Sequence, residues 1–417
     1  MTNPSPLSPG ARSAVLLASF LGLLFDGVEL GLMPIASLSV SKSLLGSAFT
    51  ATAGGDWFAW FTASLMLGAA VGGIALGNLG DRIGRTRAMG ISILFYSVFA
   101  TFGAYVETQE QMLVLRFLVG LGVGGMWPNG IALVSECWPS ASKPLVSGTM
   151  MAGLNAGILL LSQLARLWPI TPDSWRWIFQ LSGAPALLGV VILLALPESP
   201  EWLAARSTGP RKATTPLADL FRPTLRRTTL SAIVVSVIPM VGAWAASKWM
   251  IPWADKVAGA GNAQYKAATQ GWWALGAILG AIAGAELASR MGRSRSYLCI
   301  SLGASTLTVS MFTLTAPLEP AFHYVVFAQG VVATLFFGWL SLYLPEIFPV
   351  EVRATGSGMA YNFGRFGTAV GVLGAGFLFS ALGGDYPRVG ALCALVYALG
   401  VLGSWLVKDT PPANSSR

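Results

Sequence analysis

Two carboxylates stand three residues apart in an otherwise apolar stretch, Phe25-Asp26-Gly27-Val28-Glu29-Leu30, and an arginine, Arg116, lies in another such stretch. Ionisable groups are expensive in hydrocarbon, so where they occur there they mark solute or proton paths by default. At about 1.5 Å per helical residue, Glu29 and Arg116 fall level with each other and Asp26 within a turn of both, so the three form a candidate proton-coupling cluster. The chemistry is a competition: a low-dielectric surrounding disfavours the charged carboxylate, while an adjacent guanidinium favours it. A substrate anion that draws Arg116 away would let Asp26 or Glu29 take up a proton. The plainer alternative is a buried ion pair that only fixes helix packing.

Arg365, in Tyr361-Asn362-Phe363-Gly364-Arg365-Phe366-Gly367, sits mid-stretch with no acidic residue beside it. A guanidinium fork matches a carboxylate bidentately, which makes Arg365 a candidate clamp for an anionic substrate that supplies the missing counter-charge. Pairing with Asp26 or Glu29, or snorkelling to an interface, are the alternatives. Asn129, Trp127, Trp339, Tyr343, Tyr361 and Asn362 complete the candidate substrate-binding set. Flat side chains suit an aromatic or apolar solute body, and simple packing is the competing reading for Trp127 and Trp339.

Such groups need helices in a bilayer to hold them. Of 417 residues, 54% are hydrophobic and only 11% charged, against about 25% charged in a soluble domain. Apolar stretches predict twelve helices, over residues 14–38, 57–79, 88–106, 110–134, 145–165, 176–196, 228–251, 268–288, 296–316, 322–344, 355–381 and 388–407. At about 20 residues per span, the remainder holds no large soluble domain. An even number puts both termini on one side, and most of the 26 Lys and Arg fall on that side if it is the cytoplasm. The net charge of +8 therefore implies no nucleic-acid partner. Cys137, Cys299 and Cys393 are scattered and His323 is the single histidine, which predicts neither disulfides nor a metal site. The N-terminus lacks a basic run or cleavage pattern, so the first helix is expected to be retained.

An internal repeat organises the chain. Gly84-Arg85-Thr86-Arg87 recurs as Gly292-Arg293-Ser294-Arg295, with Arg82 matched by Arg290; Glu136-Cys137-Trp138-Pro139 recurs as Glu346-Ile347-Phe348-Pro349. Two matches at a nearly constant offset indicate a duplicated six-helix unit. The expected division is a first bundle over 1–196, a Ser/Thr/Pro- and Arg-rich cytoplasmic linker over 197–227, and a second bundle over 228–417. Secondary transporters built this way hold substrate between the halves near the bilayer midplane. Gly120-Leu121-Gly122-Val123-Gly124-Gly125 fits a dinucleotide pattern literally, but no strand precedes it, so close helix packing is the reading, as it is for Gly68, Gly72, Gly73 and Gly77.

Gly77-Asn78-Leu79-Gly80-Asp81-Arg82-Ile83-Gly84-Arg85-Thr86-Arg87 resembles the signature of the major facilitator superfamily in the turn after its second helix; the second copy is degenerate, with Ser289 in place of Asp81. The resemblance implies that Asp81, Arg82, Arg85, Glu136, Arg290, Arg293, Glu346 and Arg353 latch the two halves at the cytoplasmic face. Asp26-Gly27-Val28-Glu29, the run from Arg116 to Asn129, and the segments Glu346–Gly356 and Gly364–Gly367 are similar to the aromatic-acid/proton symporter group and its metabolite/proton relatives, with Glu29 departing from that group's second aspartate. This similarity implies uptake of a small carboxylate, often aromatic, with protons. Pro197-Glu198-Ser199-Pro200 occurs in sugar porters too, and an acid in the first helix facing an arginine in the fourth is also their coupling pair.

The expected protein is thus an all-α membrane protein of twelve helices in two pseudo-symmetric six-helix bundles, the major facilitator fold. It is expected to be a proton-coupled symporter of a small organic anion, an aromatic or other monocarboxylate, working by alternating access. A sugar or polyol symporter, or an exporter of small organic solutes, is the alternative. No enzyme is expected, because no serine–histidine–acid or metal-ligand cluster is visible, and a sensor would need an output domain that neither tail can hold. The proton gradient replaces any cofactor, and the expected setting is a bacterial-type inner membrane, with a monomer as the working unit.

Overall fold

A computed structural model of the chain describes residues 7–138, 143–207, 217–349 and 352–409, and no strand occurs among them. Twelve helices are long and apolar enough to cross a membrane: α1 Pro9–Ala48, α2 Ala51–Ile83, α3 Arg85–Tyr105, α4 Gln109–Cys137, α5 Gly148–Leu167, α6 Arg176–Ala195, α7 Pro223–Ala258, α8 Tyr265–Met291, α9 Arg293–Thr313, α10 Phe322–Ile347, α11 Thr355–Ala381 and α12 Tyr386–Leu406. The expected number holds, and α1, α2, α4, α7, α8 and α10 run further than hydropathy alone suggests, with capping residues setting some of the ends. Ser8, Thr50 and Asp385 cap α1, α2 and α12, and a reciprocal Thr108–Gln111 capping box starts α4.

The packing repeats with a shift of six helices. In the first half α2 packs on α4, α1 on α5, α3 on α4 and α6; in the second half α8 packs on α10, α7 on α11, α9 on α10 and α12. The halves join along α5 against α8 and α2 against α11. Glycine permits the tightest of these contacts: a Cβ on Gly68, Gly72, Gly120 or Gly124 would overlap a carbonyl of the facing helix in the α2–α4 pair, and the same holds for Gly276, Gly280, Gly284 and Gly330 in the α8–α10 pair.

The two copies of the glycine–arginine turn also match. Gly84 and Gly292 both adopt positive φ, +113° and +85°, a conformation that favours glycine. In each copy an acid from the end of its bundle meets the helix start that follows: Glu198 accepts from the Thr86 N–H at 3.1 Å, and Asp409 from the Ser294 N–H at 3.0 Å. The expected linker is partly structured, with a short helix Pro200–Ser207 whose Trp202 donates to the Asp81 carbonyl at 3.0 Å; residues 208–216 lie outside the described set. The helix α7 takes over residues from Pro223 that composition assigned to that linker.

Candidate functional site

The sequence places a proline in α7, Pro239, three residues before Gly242. Proline removes a helical donor and its ring crowds the preceding turn, and just beyond it α7 departs from α-helical form: a π-helical turn over Gly242–Ala246 and a 3₁₀ turn over Ser247–Trp249. Such breaks gather at functional sites, and discontinuous helices build the binding sites of many transporters. This break faces a cavity between the halves, into which α7 sends Trp244 and Lys248.

Across the cavity stand Asp26 of α1, Trp127 of α4, and Tyr361 and Arg365 of α11. Trp127 and Tyr361 stack across the interface between the halves, with ring centroids 4.4 Å apart and planes within 4° of parallel. Arg365 is fixed by neutral acceptors: its Nη1 donates to the Ala69 carbonyl of α2 at 3.0 Å and to Asn362 Oδ1 at 3.3 Å, and its guanidinium lies 5.3 Å from the Tyr361 ring. Lys248 is 1% exposed, and its Nζ has no hydrogen-bond partner among the described residues. It rests 3.2 Å from the centre of the Trp273 ring, which Gln329 holds through a 2.7 Å bond from the indole N–H. The cavity therefore carries two cations and one carboxylate between aromatic walls.

The expected three-way cluster of Asp26, Glu29 and Arg116 separates into two parts. Arg116 donates to the Glu29 carboxylate at 3.1 Å and to the Glu29 backbone carbonyl at 3.0 Å, both side chains being essentially buried. Asp26 takes no part in that grip; it faces the cavity, 1% exposed, and its Oδ1 accepts no hydrogen bond among the described residues. Helix geometry explains the split, since residues three apart differ by about 60° around the axis and Arg116, bonding both side chain and backbone of Glu29, cannot also turn to Asp26.

Three expected substrate contacts lie elsewhere. Asn129 donates to the carbonyls of Leu76 and Gly125, Trp339 donates to the Arg293 carbonyl and Ser296 Oγ inside the second bundle, and the Tyr343 hydroxyl accepts from the Lys408 N–H. The repeat explains Trp339. At the spacing of Glu136 and Glu346, Phe337 is the counterpart of Trp127, and Phe337 lines the cavity. Trp339, two residues on, is about 200° around the helix and counterpart to Asn129. Asn362 holds Arg365 rather than the cavity wall.

The expected latch residues gather at the membrane face that carries the termini, but as pairs within each half. Arg85 joins Asp81 and Glu136 (3.3 Å) in the first half; Arg293 joins Glu346 (2.8 Å) in the second. Arg290 pairs with Glu286 on its own helix, Arg82 is exposed, and the side chain of Arg353 lies outside the described residues. Among the described residues no ion pair at this face joins the halves. The opposite face is sealed across them: Lys266 of α8 donates to Ser39 of α1 while pairing with Asp255, both at 3.0 Å, Ser380 of α11 donates to Asp56 of α2, and Trp249 meets Phe58 edge to face.

The sequence profile described as Major Facilitator Superfamily matches residues 15–283 and 250–417. A probable 4-methylmuconolactone transporter from Cupriavidus pinatubonensis is 30% identical, over 82% of this chain and 79% of its own. A cis,cis-muconate transport protein from Acinetobacter baylyi is 28% identical over 92% of each chain, and a 4-hydroxybenzoate transporter from Pseudomonas aeruginosa is 31% identical over 52% of this chain and 47% of its own. Among solved structures, a D-xylose-proton symporter superposes with a TM-score of 0.69 at 18% identity over 95% of this chain and 99% of that one. The E. coli xylose transporter XylE, in a partially occluded inward-open conformation, reaches 0.71 at 16% identity over 96% and 99%.

Proposed function

The chain belongs to the Major Facilitator Superfamily, and from that premise we propose that it imports a small organic carboxylate together with protons. The observation that carries this reading is the cavity between the halves, where Arg365 and Lys248 have no carboxylate at ion-pair distance among the described residues. Among the described residues Asp26 is the one carboxylate facing these two cations, and it is not at ion-pair distance from either; a buried excess of positive charge is costly, and a substrate carboxylate would balance it. Trp127, Tyr361 and Trp273 give the flat apolar faces that an aromatic or unsaturated body needs. The names of the three relatives given above, two organic-acid transporters and a lactone transporter, point the same way. The fold likeness to xylose carriers favours no solute, and a neutral sugar would leave both cations unanswered.

In the proposed cycle Asp26 is the proton carrier, because it is a buried carboxylate on the cavity without a fixed cationic partner. Glu29 and Arg116 form a closed ion pair that anchors α1 to α4. Placing the termini in the cytoplasm, as the Lys/Arg bias supports, makes the sealed face the external one of the inner membrane. Release to the cytoplasm would precede reclosure, with Arg85, Asp81, Glu136, Arg293 and Glu346 as gate residues whose intra-half pairs rearrange when the terminal face closes.

The test is proton entry into proteoliposomes loaded with a pH dye. Benzoate or an aliphatic carboxylate should acidify the lumen in the native protein and fail to do so with Asp26→Asn. Acidification by xylose but by no carboxylate would replace the anion reading with the sugar one.

A further inference from the structure

Resting on the carboxylate reading just given, we propose that the cavity selects a dicarboxylate, with Arg365 holding one carboxylate and Lys248 the other. Arg365 spends one nitrogen on the Ala69 carbonyl and the Asn362 amide oxygen, leaving the rest of its fork to a ligand. The contacts of Lys248 are of another kind. Its ammonium lies over the Trp273 ring and 5.7 Å from that of Trp244. Ring faces attract a cation, yet they occupy none of its three N–H donors as an anion would. A nine-tenths-buried ammonium aimed into a cavity with no acceptor is a site for one.

Charge balance gives the number of carboxylates. Asp26 is the single carboxylate among the residues lining the cavity, facing two cations, and the Glu29–Arg116 pair is closed on itself outside it. With Asp26 ionised the cavity is short of one negative charge; with Asp26 protonated it is short of two. Because unbalanced charge is expensive between apolar walls, a dianion and a proton on Asp26 stabilise each other, whereas a monoanion bound with that proton leaves one cation unanswered and draws the proton less strongly. A dicarboxylate therefore couples binding to proton uptake more tightly than a monocarboxylate at this site, and the break in α7 that carries Lys248 is the device that sets the second anchor.

The experiment compares matched acids on the reconstituted full chain, benzoate against terephthalate and hexanoate against adipate, by luminal acidification over a concentration series. The dicarboxylate of each pair should half-saturate at roughly tenfold lower concentration, the worth of one charge-assisted anchor. Lys248→Gln should shrink that ratio to within about twofold, and Lys248→Arg should restore it. Equal half-saturation within both pairs in the native protein, which needs no variant to fold, would overturn the dicarboxylate inference and leave the carboxylate reading standing. An unchanged ratio in Lys248→Gln would overturn it too. No response to any of the four acids would overturn the carboxylate reading itself.

Discussion

Two buried charge sites lie side by side in this molecule, and they are built on opposite principles. At Glu29 and Arg116 each charge finds its partner within the protein, and the guanidinium is held by both a carboxylate and a backbone carbonyl. In the cavity a short distance along α1, Asp26 has an unbonded oxygen, Lys248 sits on indole rings, and Arg365 is held by neutral acceptors alone. The first site is complete without a solute and the second is not. Burial and charge alone thus do not identify a transport site; what does is a buried charge whose counter-charge is missing.

The sharpest way to break this contrast is through stability. Arg116→Met leaves Glu29 buried without its partner and should cost about 3–5 kcal/mol, read as a large drop in the melting temperature of the purified protein. Arg365→Met removes a cation with no fixed counter-charge and should lower melting far less; equal losses would erase the distinction. Asp26→Asn comes next. It should remove accumulation driven by the proton gradient, a driving force of about 2.3 kcal/mol per charge per 100 mV, while slowing solute counterflow much less. Third, Arg365→Gln should raise the carboxylate concentration for half-saturation by roughly ten- to a hundredfold, the range of a charge-assisted hydrogen bond. Smallest is Trp127→Ala, which loses the stacking partner of Tyr361 and about 0.5–1.5 kcal/mol. Titration of the purified variant with benzoate should show the corresponding several-fold weakening.

Much of this arrangement is readable from the residues. The twelve spans follow from apolar runs, the duplication from two glycine–arginine turns, and Asp26, Arg365, Trp127 and Tyr361 from charge or flatness in mid-span. Lys248 is the instructive omission. Hydropathy ends its helix at residue 251, which puts a lysine at a margin where its ammonium reaches water; the helix instead runs to Ala258 and buries Lys248 at an internal break. Pro239 and Gly242 were the available signal. Trp339 shows the opposite error, a residue type right for the site but turned about 200° from it, which the repeat register corrects. The separation of Asp26 from Arg116 rests on a bond to a backbone carbonyl, and side-chain spacing carries no trace of such a bond. Among the described residues the latch pairs of Arg85, Arg290 and Arg293 lie within each half, while the contacts that cross between the halves gather at the other face.

The most direct measurement of the central claim is calorimetric titration of the purified protein with benzoate and terephthalate in buffers of different ionisation enthalpy, which reports affinity and protons bound together. The account predicts binding that weakens at least tenfold in Arg365→Gln and a proton taken up with terephthalate that disappears in Asp26→Asn. Undiminished affinity in Arg365→Gln, or proton uptake that persists without Asp26, would contradict it.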